Sequence, residues 1–218
     1  MQSVPTKFLR SLVGLQRLPD TYTSISECTL IHDARNTFAS KAITGGFDRV
    51  LWLDSDMTFD ADLMLRLSTH LDDGKHIACG LYLKRQFPTE PVIYCRQDRL
   101  TDPVHGEYIQ PVPYLRYPRD KTFRVAACGF GAVMTSVEIL RAVWDKYGPP
   151  FSYYMNIGED MSFCYRVEQM GQRIWCDSTI KCGHVGPAIY DEDCYAYPDE
   201  PGKAEADGAS GHGHPERA

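Results

Sequence analysis

The sequence predicts a single α/β domain over residues 1–197, with a mostly parallel central sheet flanked by helices. Three observations carry this expectation. Segments whose apolar residues recur at helical spacing alternate with short apolar runs, as expected where helices cross between strands. One of those runs, "RVLWL" at 49–53, is apolar nearly throughout, as a central strand covered on both faces requires. The chain's 218 residues, 43% of them hydrophobic, suffice for one well-buried domain.

The elements follow in order. Phe8, Leu9, Leu12 and Val13 recur at helical spacing behind Pro5, so a helix is expected over 5–17. A second is expected over 34–44, with Phe38, Ala39, Ala42 and Ile43 on its apolar face and Gly45 and Gly46 stopping it. After the strand at 49–53, Leu63, Met64, Leu67 and Leu71 mark a helix over 60–72 with Asp60 as its cap. "HIACGLYL" at 76–83 is the next strand. From Gln86 to Lys121 prolines and aromatics break any period, so short strands and loops are expected, "PVIY" among them. "FRVAACGFGAVMT" resumes strand character, and Thr135 with Glu138 has capping-box spacing for a helix over 136–147, closed by Gly148, Pro149 and Pro150. A last helix is expected over 159–170, ending at Gly171. From 198 to 218 the text is too poor in apolar residues to fold and reads as a disordered tail holding His212 and His214.

The net charge of −6 gives no electrostatic reason to expect a nucleic-acid partner. No window approaches the roughly 18 uninterrupted apolar residues of a membrane span. The first residues lack the apolar core and cleavage site of a secretory signal, so a cytoplasmic protein is expected. Eight cysteines are scattered without a CxxC pair, which excludes a zinc ribbon and a thioredoxin-like motif. Buried thiols are expected, with Cys176 and Cys182 the pair that an oxidising compartment would join.

Chemistry concentrates in three places. Asp54 and Asp56 end the strand at 49–53 and project to one side, because strand side chains alternate with period two. Two adjacent carboxylates repel, and a divalent cation relieves this; oxygen ligands favour Mg2+ or Mn2+. A nucleophile with a helper acid and a merely polar strand end remain open as readings. Glu159 and Asp160 begin a helix, where the dipole keeps a carboxylate ionised and fit to act as a general base. "KCGHVG" sets His184 in a glycine-flanked loop.

Taken in order, "HDARNTFASKA", "VLWLDSDMTF", "AACGFGAVMT", "GEDMSFCYRVEQMG" and "GHVG" resemble the nucleotide-sugar glycosyltransferases of the GT-A fold, over about residues 5–187. The resemblance implies a metal-dependent enzyme that moves a sugar from a nucleoside-diphosphate donor, foremost a UDP-sugar, to a hydroxyl acceptor. It assigns Asp54 and Asp56 to Mn2+ or Mg2+ and the nucleotide, with Asp56 the direct ligand and His184 a further one. It places Arg35 and Asn36 near the nucleotide and Gly129 and Gly131 against the donor sugar. Asp160, with Glu159 beside it, matches the acidic pair that supplies the base in inverting members. Such proteins open with an apolar strand ahead of the first helix; here it is missing or shortened, and "SISECTLI" at 24–31 is the candidate edge.

Two other classes stay in view. "LWLDSDMTF" also fits a haloacid-dehalogenase-like phosphatase in which Asp54 is the nucleophile. A catalytically silent sugar-binding module would use Trp52, Phe130, Phe151, Tyr153 and Tyr154 as stacking platforms. Within the transferase reading, Lys84, Arg85, Arg96, Arg99, Arg116, Arg119 and Arg124 make the irregular middle locally basic, which suits an anionic acceptor, a phosphorylated glycan or even modified DNA.

Overall fold

The computed structural model describes residues 4–27, 29–104, 106–187 and 189–198. Cys28 and the expected tail beyond Pro198, with His212 and His214, lie outside the described residues. The chain runs α1 (Thr6–Gly14), α2 (Ile31–Thr44), β1 (Arg49–Leu53), β2 (Met57–Thr58), α3 (Leu63–Asp72) and β3 (Ile77–Leu81). A meander follows: β4 (Ile93–Asp102), β5 (Gly106–Pro113), β6 (Thr122–Val125), β7 (Ala127–Cys128) and β8 (Ala132–Ser136). The last part holds α4 (Val137–Tyr147), α5 (Glu159–Gln169), β9 (Ile174–Lys181), β10 (Gly183–Val185), β11 (Ile189–Tyr190) and a 3-10 turn, Glu192–Cys194.

The protein is α/β, but its central sheet is mixed and mostly antiparallel, which corrects the expected parallel one. The order is β1-β8-β3-β9-β6, and only β3 and β9 pair in parallel. Strands β1, β3 and β9 are each entered from a helix and run the same way. Strands β6 and β8 are entered from the meander, with no crossover helix to reverse the chain, and run the other way. Helix alternation alone therefore overstated the parallel content. A ribbon β5-β4-β7 and a small sheet β11-β10-β2 complete the fold.

Period-two alternation in the central strands feeds two apolar layers. Val50 and Trp52 of β1 face one layer with Ile77, Cys79 and Val133, covered by α2, α4 and α5 through Ala39, Leu140 and Phe163. Leu51 and Leu53 face the other with Ala78 and Met134, covered by α1 and α3 through Phe8, Leu63 and Leu67. Fully burying side chains of this size is worth about 1.5–3 kcal/mol each, so the two layers hold the sheet from both faces. Cys79, Cys128, Cys164 and Cys176 lie buried together in the core, where Cys164 Sγ donates to Cys128 O at 3.6 Å. The seven described cysteines are free, Cys176 and Cys182 included. Those two belong to β9 and the residue just after it, so they do not flank a turn that could close a bridge.

Helix ends differ from the expected ones for local reasons. α1 stops at Gly14 because Leu15 turns extended and buries beside Phe8 and Phe59. α2 begins at Ile31; its first turn is mostly exposed and leaves no apolar signal, while Asp33 suits the helix dipole there. "SISECTLI" forms no strand in its described part, and its final Ile31 already belongs to α2. Asp60 does not cap α3; it offers only its main-chain carbonyl to Leu63 N, at 3.2 Å, and α3 begins at Leu63. The cap of α4 is Ser136, whose Oγ accepts from Ile139 N at 3.2 Å. Thr135 faces the core instead and accepts from Trp52 Nε1 at 2.9 Å. Ser136→Ala is expected to lower the unfolding free energy by about 1 kcal/mol in urea denaturation, whereas an unchanged midpoint would show that the cap contributes nothing.

Candidate functional site

The site gathers at the carboxyl ends of β1 and β3, where ligands bind in open α/β sheets. β1 ends at Leu53, and Asp54 N donates to Gly131 O at 3.1 Å, pinning the first aspartate to the loop between β7 and β8. A turn then closes with Met57 N donating to Asp54 O at 3.2 Å and sends the chain into β2. β2 pairs with β10 in a register that sets Met57 against His184. Val185 N donates to Asp56 O at 2.7 Å. These contacts bring a residue near the chain's end to the aspartate pair, with His184 Nε2 at 3.4 Å from Asp56 Oδ2.

At the centre stands Arg35, buried on α2. Its guanidinium donates to Asp54 Oδ1 at 3.0 Å and to Glu159 Oε1 at 2.7 Å, and it lies 5.3 Å from the Phe130 ring centroid. One cation thus joins the end of β1 to the start of α5. Asp160, next in sequence, accepts from Met161 N at 2.7 Å.

The carboxylates are tuned apart. Burial pushes Asp54 up, against the opposing pull of Arg35 and with added repulsion from Asp56. Burial also pushes on Asp56, but the His184 hydrogen bond and charge, with Arg85, outweigh it and hold the carboxyl below its usual range. Asp160 is pushed up to about 6 by burial and then by the charge of Glu159, despite Arg35 and the Met161 hydrogen bond. Desolvation opposes the helix dipole expected to keep Asp160 ionised, and at about 6 the carboxyl is still ionised near neutrality.

Donor geometry at Asp56 suits a cation. His184 Nδ1 lies 2.9 Å from Leu83 O. A carbonyl only accepts, so Nδ1 carries hydrogen; a ring protonated at both nitrogens donates Nε2–H to Asp56, and only the neutral ring frees the Nε2 lone pair for a cation. Fixing a histidine by a backbone carbonyl is the usual support of a metal ligand. Asp56 Oδ1 is buried with no hydrogen-bond partner among the described residues. Arg85 Nη1 reaches Asp56 Oδ2 at 2.9 Å. No group of three or more His, Cys, Asp or Glu is gathered as a metal site among the described residues; Asp56 and His184 are the two donors that could face an ion together, and Asp54 faces Arg35.

Other expected site residues are occupied by the fold. Asn36 holds the Phe151 backbone at both ends of its amide, accepting from Phe151 N at 2.9 Å and donating to Phe151 O at 3.3 Å. Gly129 and Gly131 are buried against protein: a Cβ would meet Tyr82 Oη at 2.1 Å from Gly129 and Met57 Sδ at 2.9 Å from Gly131. Close packing on Tyr82 by itself requires glycine at both positions. Trp52, Phe130 and Phe151 form one buried aromatic cluster, while Tyr153 and Tyr154 are exposed. The basic middle is largely neutralised: Lys84 pairs with Glu90, Arg85 with Asp56, Arg96 with Asp98, Arg99 with Glu107 and Arg119 with Glu192. Sequence reasoning missed Tyr82 and the link from Arg85 to Asp56, although both residues follow β3 at a strand end where ligands are expected.

Two measurements check this account. Arg35→Met leaves Glu159 buried without a partner and is expected to cost about 3–5 kcal/mol, most of it recovered in Arg35→Met with Glu159→Met. A full-length double-variant deficit in urea denaturation would contradict the bridge. Because the folded carboxyl of Asp160 binds its proton more tightly than the unfolded one, ionising it costs stability. That cost is absent below about pH 4, grows as pH rises toward 6, and is constant above. Asp160→Asn should then raise the unfolding free energy at pH 7 by on the order of 1–3 kcal/mol and change little at pH 4.

No protein-family model and no curated protein matches this chain. Among solved structures it is similar to "Crystal Structure of A197 from STIV", with a TM-score of 0.60, 16% sequence identity, and coverage of 92% of this chain and 90% of that one. At that identity the likeness is one of fold. Among the described residues no helix is long and apolar enough to cross a membrane.

Proposed function

We propose that the protein is a metal-dependent glycosyltransferase of the GT-A type, moving a sugar from a nucleoside-diphosphate donor, a UDP-sugar foremost, to a hydroxyl acceptor with inversion. The observation that carries this reading is the Arg35 bridge, which sets the Asp54 and Asp56 turn and the Glu159 and Asp160 pair on two sides of one buried guanidinium. Asp56 and His184 would hold Mn2+ or Mg2+, and the orphaned Asp56 Oδ1 is the lone acceptor waiting for it. Two protein donors are few for a resident metal, yet they suit a cation that keeps waters and shares a substrate's phosphates. When bound, the metal neutralises charge growing on the departing diphosphate.

The chain's own residues divide the remaining work. Glu159 is committed to Arg35 and buried, so it holds the guanidinium and is not the base. Asp160 forms no ion pair among the described residues, and burial pushes its carboxyl up to about 6. It is ionised at neutral pH and more basic than an ordinary aspartate, which suits removal of the acceptor hydroxyl proton. Arg35 keeps Asp54 oriented and offsets the negative charge of the three neighbouring carboxylates.

The reading is tested by a donor screen for nucleoside-diphosphate release with Mn2+ and Mg2+. Asp56→Ala and His184→Ala are each expected to lower release by about 10–100-fold, and Asp160→Asn to lower kcat by roughly 10²–10⁴-fold with metal binding kept. For wild type, kcat/KM should rise with pH through about 6 and level above it, as Asp160 loses its proton. Release unchanged in Asp56→Ala would contradict the metal role, and NMR showing a retained anomeric centre in the product would remove inversion.

A further inference from the structure

Just ahead of the acidic pair, Tyr153, Tyr154, Met155, Asn156, Ile157 and Gly158 line a shallow recess of about 530 Å³. Gly158 is the residue at the N-terminal cap of α5, so the recess ends where Glu159 and Asp160 begin. Aromatic side chains nearby are buried, yet Tyr153 and Tyr154 are 60% and 38% exposed. Both are held in place rather than loose. Tyr154 stacks one face on Tyr165 at 5.7 Å and 26°, and Tyr153 meets the His32 ring edge-on at 5.0 Å.

The backbone beneath is strained. Met155 and Asn156 both take left-handed φ values, 44° and 64°; asparagine tolerates that region, but a methionine side chain avoids it. Ile157 N donates to Tyr154 O at 3.0 Å and Ile109 N to Met155 O at 3.3 Å, so the shape is enforced from within the loop and from β5. Strain of this kind persists where the surroundings over-determine it, commonly at ligand-binding segments. His32 Nδ1 is buried without a hydrogen-bond partner among the described residues, a polar atom left over beside Tyr153.

We infer that this recess is the acceptor subsite and that the acceptor is an uncharged saccharide, its C–H face laid on Tyr153 and Tyr154 beside Asp160. The inference rests on the glycosyltransferase reading. A pyranose is apolar on its C–H face and polar round its rim, and a fixed tyrosine ring matches the first while its hydroxyl and neighbouring polar groups match the second. Here the rim would be served by the Asn156 amide and His32. None of the lining residues is a cation, and the nearby Arg99 is paired with Glu107 at 2.5 Å, so the recess has no charge for a phosphorylated acceptor. In the transfer, the acceptor oxygen forms a bond to the donor's anomeric carbon. The bond from that carbon to the diphosphate oxygen breaks, its electron pair leaves with the nucleoside diphosphate, and the hydroxyl proton goes to Asp160.

The test is saturation-transfer NMR of the full chain, without donor, against the methyl glycosides of glucose, galactose, mannose and N-acetylglucosamine. At least one glycoside should show saturation strongest on its ring C–H protons. In Tyr153→Ala with Tyr154→Ala that signal should fall by about tenfold, while Tyr153→Phe with Tyr154→Phe keeps it, since the ring face does the binding. Tyr153 is largely exposed, so Tyr153→Ala alone, expected to cut the signal by a few-fold, carries the test if the double variant does not fold. No saturation from any glycoside, or saturation undiminished in the alanine variants, overturns the subsite. Binding needs no donor, so the two readings fail separately. Nucleotide release without glycoside binding overturns the subsite alone, and glycoside binding without release from any donor overturns the acceptor role.

Discussion

A single buried guanidinium organises the functional end of this protein. Arg35 cannot shed its charge, so burying it commits the fold to surrounding it with carboxylates, and it takes one from each side of the central sheet's carboxyl end. Its desolvation is offset only while both partners keep hydrogen-bonding geometry. That requirement fixes α2, the end of β1 and the start of α5 relative to one another. The Phe130 ring beneath it adds a further contact, and Phe130 in turn packs on Trp52, Phe151 and Phe163, which ties the ion triad to the core. Asn36, one residue along α2, grips the Phe151 backbone and holds the same arrangement from behind.

Carboxylates placed so close could not all ionise without that cation, and the structure spreads their affinities for protons. Asp56 is held low beside His184 and Arg85, Asp54 is raised, and Asp160 is raised to about 6. Environments that push neighbouring acids apart are how one site combines a metal or phosphate ligand with a base. Stability is given up for it, since ionised Asp160 opposes folding; sites built for chemistry commonly carry such local costs.

Much of this was legible in the sequence, and what was not has physical causes. β1 matched its expected bounds because a short apolar run followed by two aspartates leaves little freedom. The long helices were found by their period, and their ends were missed where first turns are exposed or capped by a neighbouring residue, as with Ser136 in place of Thr135. Strand direction was misread because it depends on how a strand is entered, and the meander between β3 and β8 has no period to show it. The structure brings Asp54, Asp56, Glu159 and His184 together through Arg35 and the β2–β10 pairing, with Asp160 next in sequence, while Gly129, Gly131 and Asn36 pack on Tyr82, Met57 and Phe151. A glycine needed for close packing and one needed for a ligand look alike in sequence; only the three-dimensional neighbour separates them.

The small sheet β11-β10-β2 gives the site an unusual dependence on a weak part of the fold. His184 reaches Asp56 through ladders only two residues long, from segments separated by most of the chain. Ladders this short have few hydrogen bonds to lose, although Met57 of β2 is itself fully buried. Lifting β10 from β2 would take His184 away from Asp56 while Met57 keeps its place in the core. Under the proposed function, the protein can be folded by every bulk measure and still lack the pairing of Asp56 with His184, and an ion held there would be the clasp that closes the ribbon.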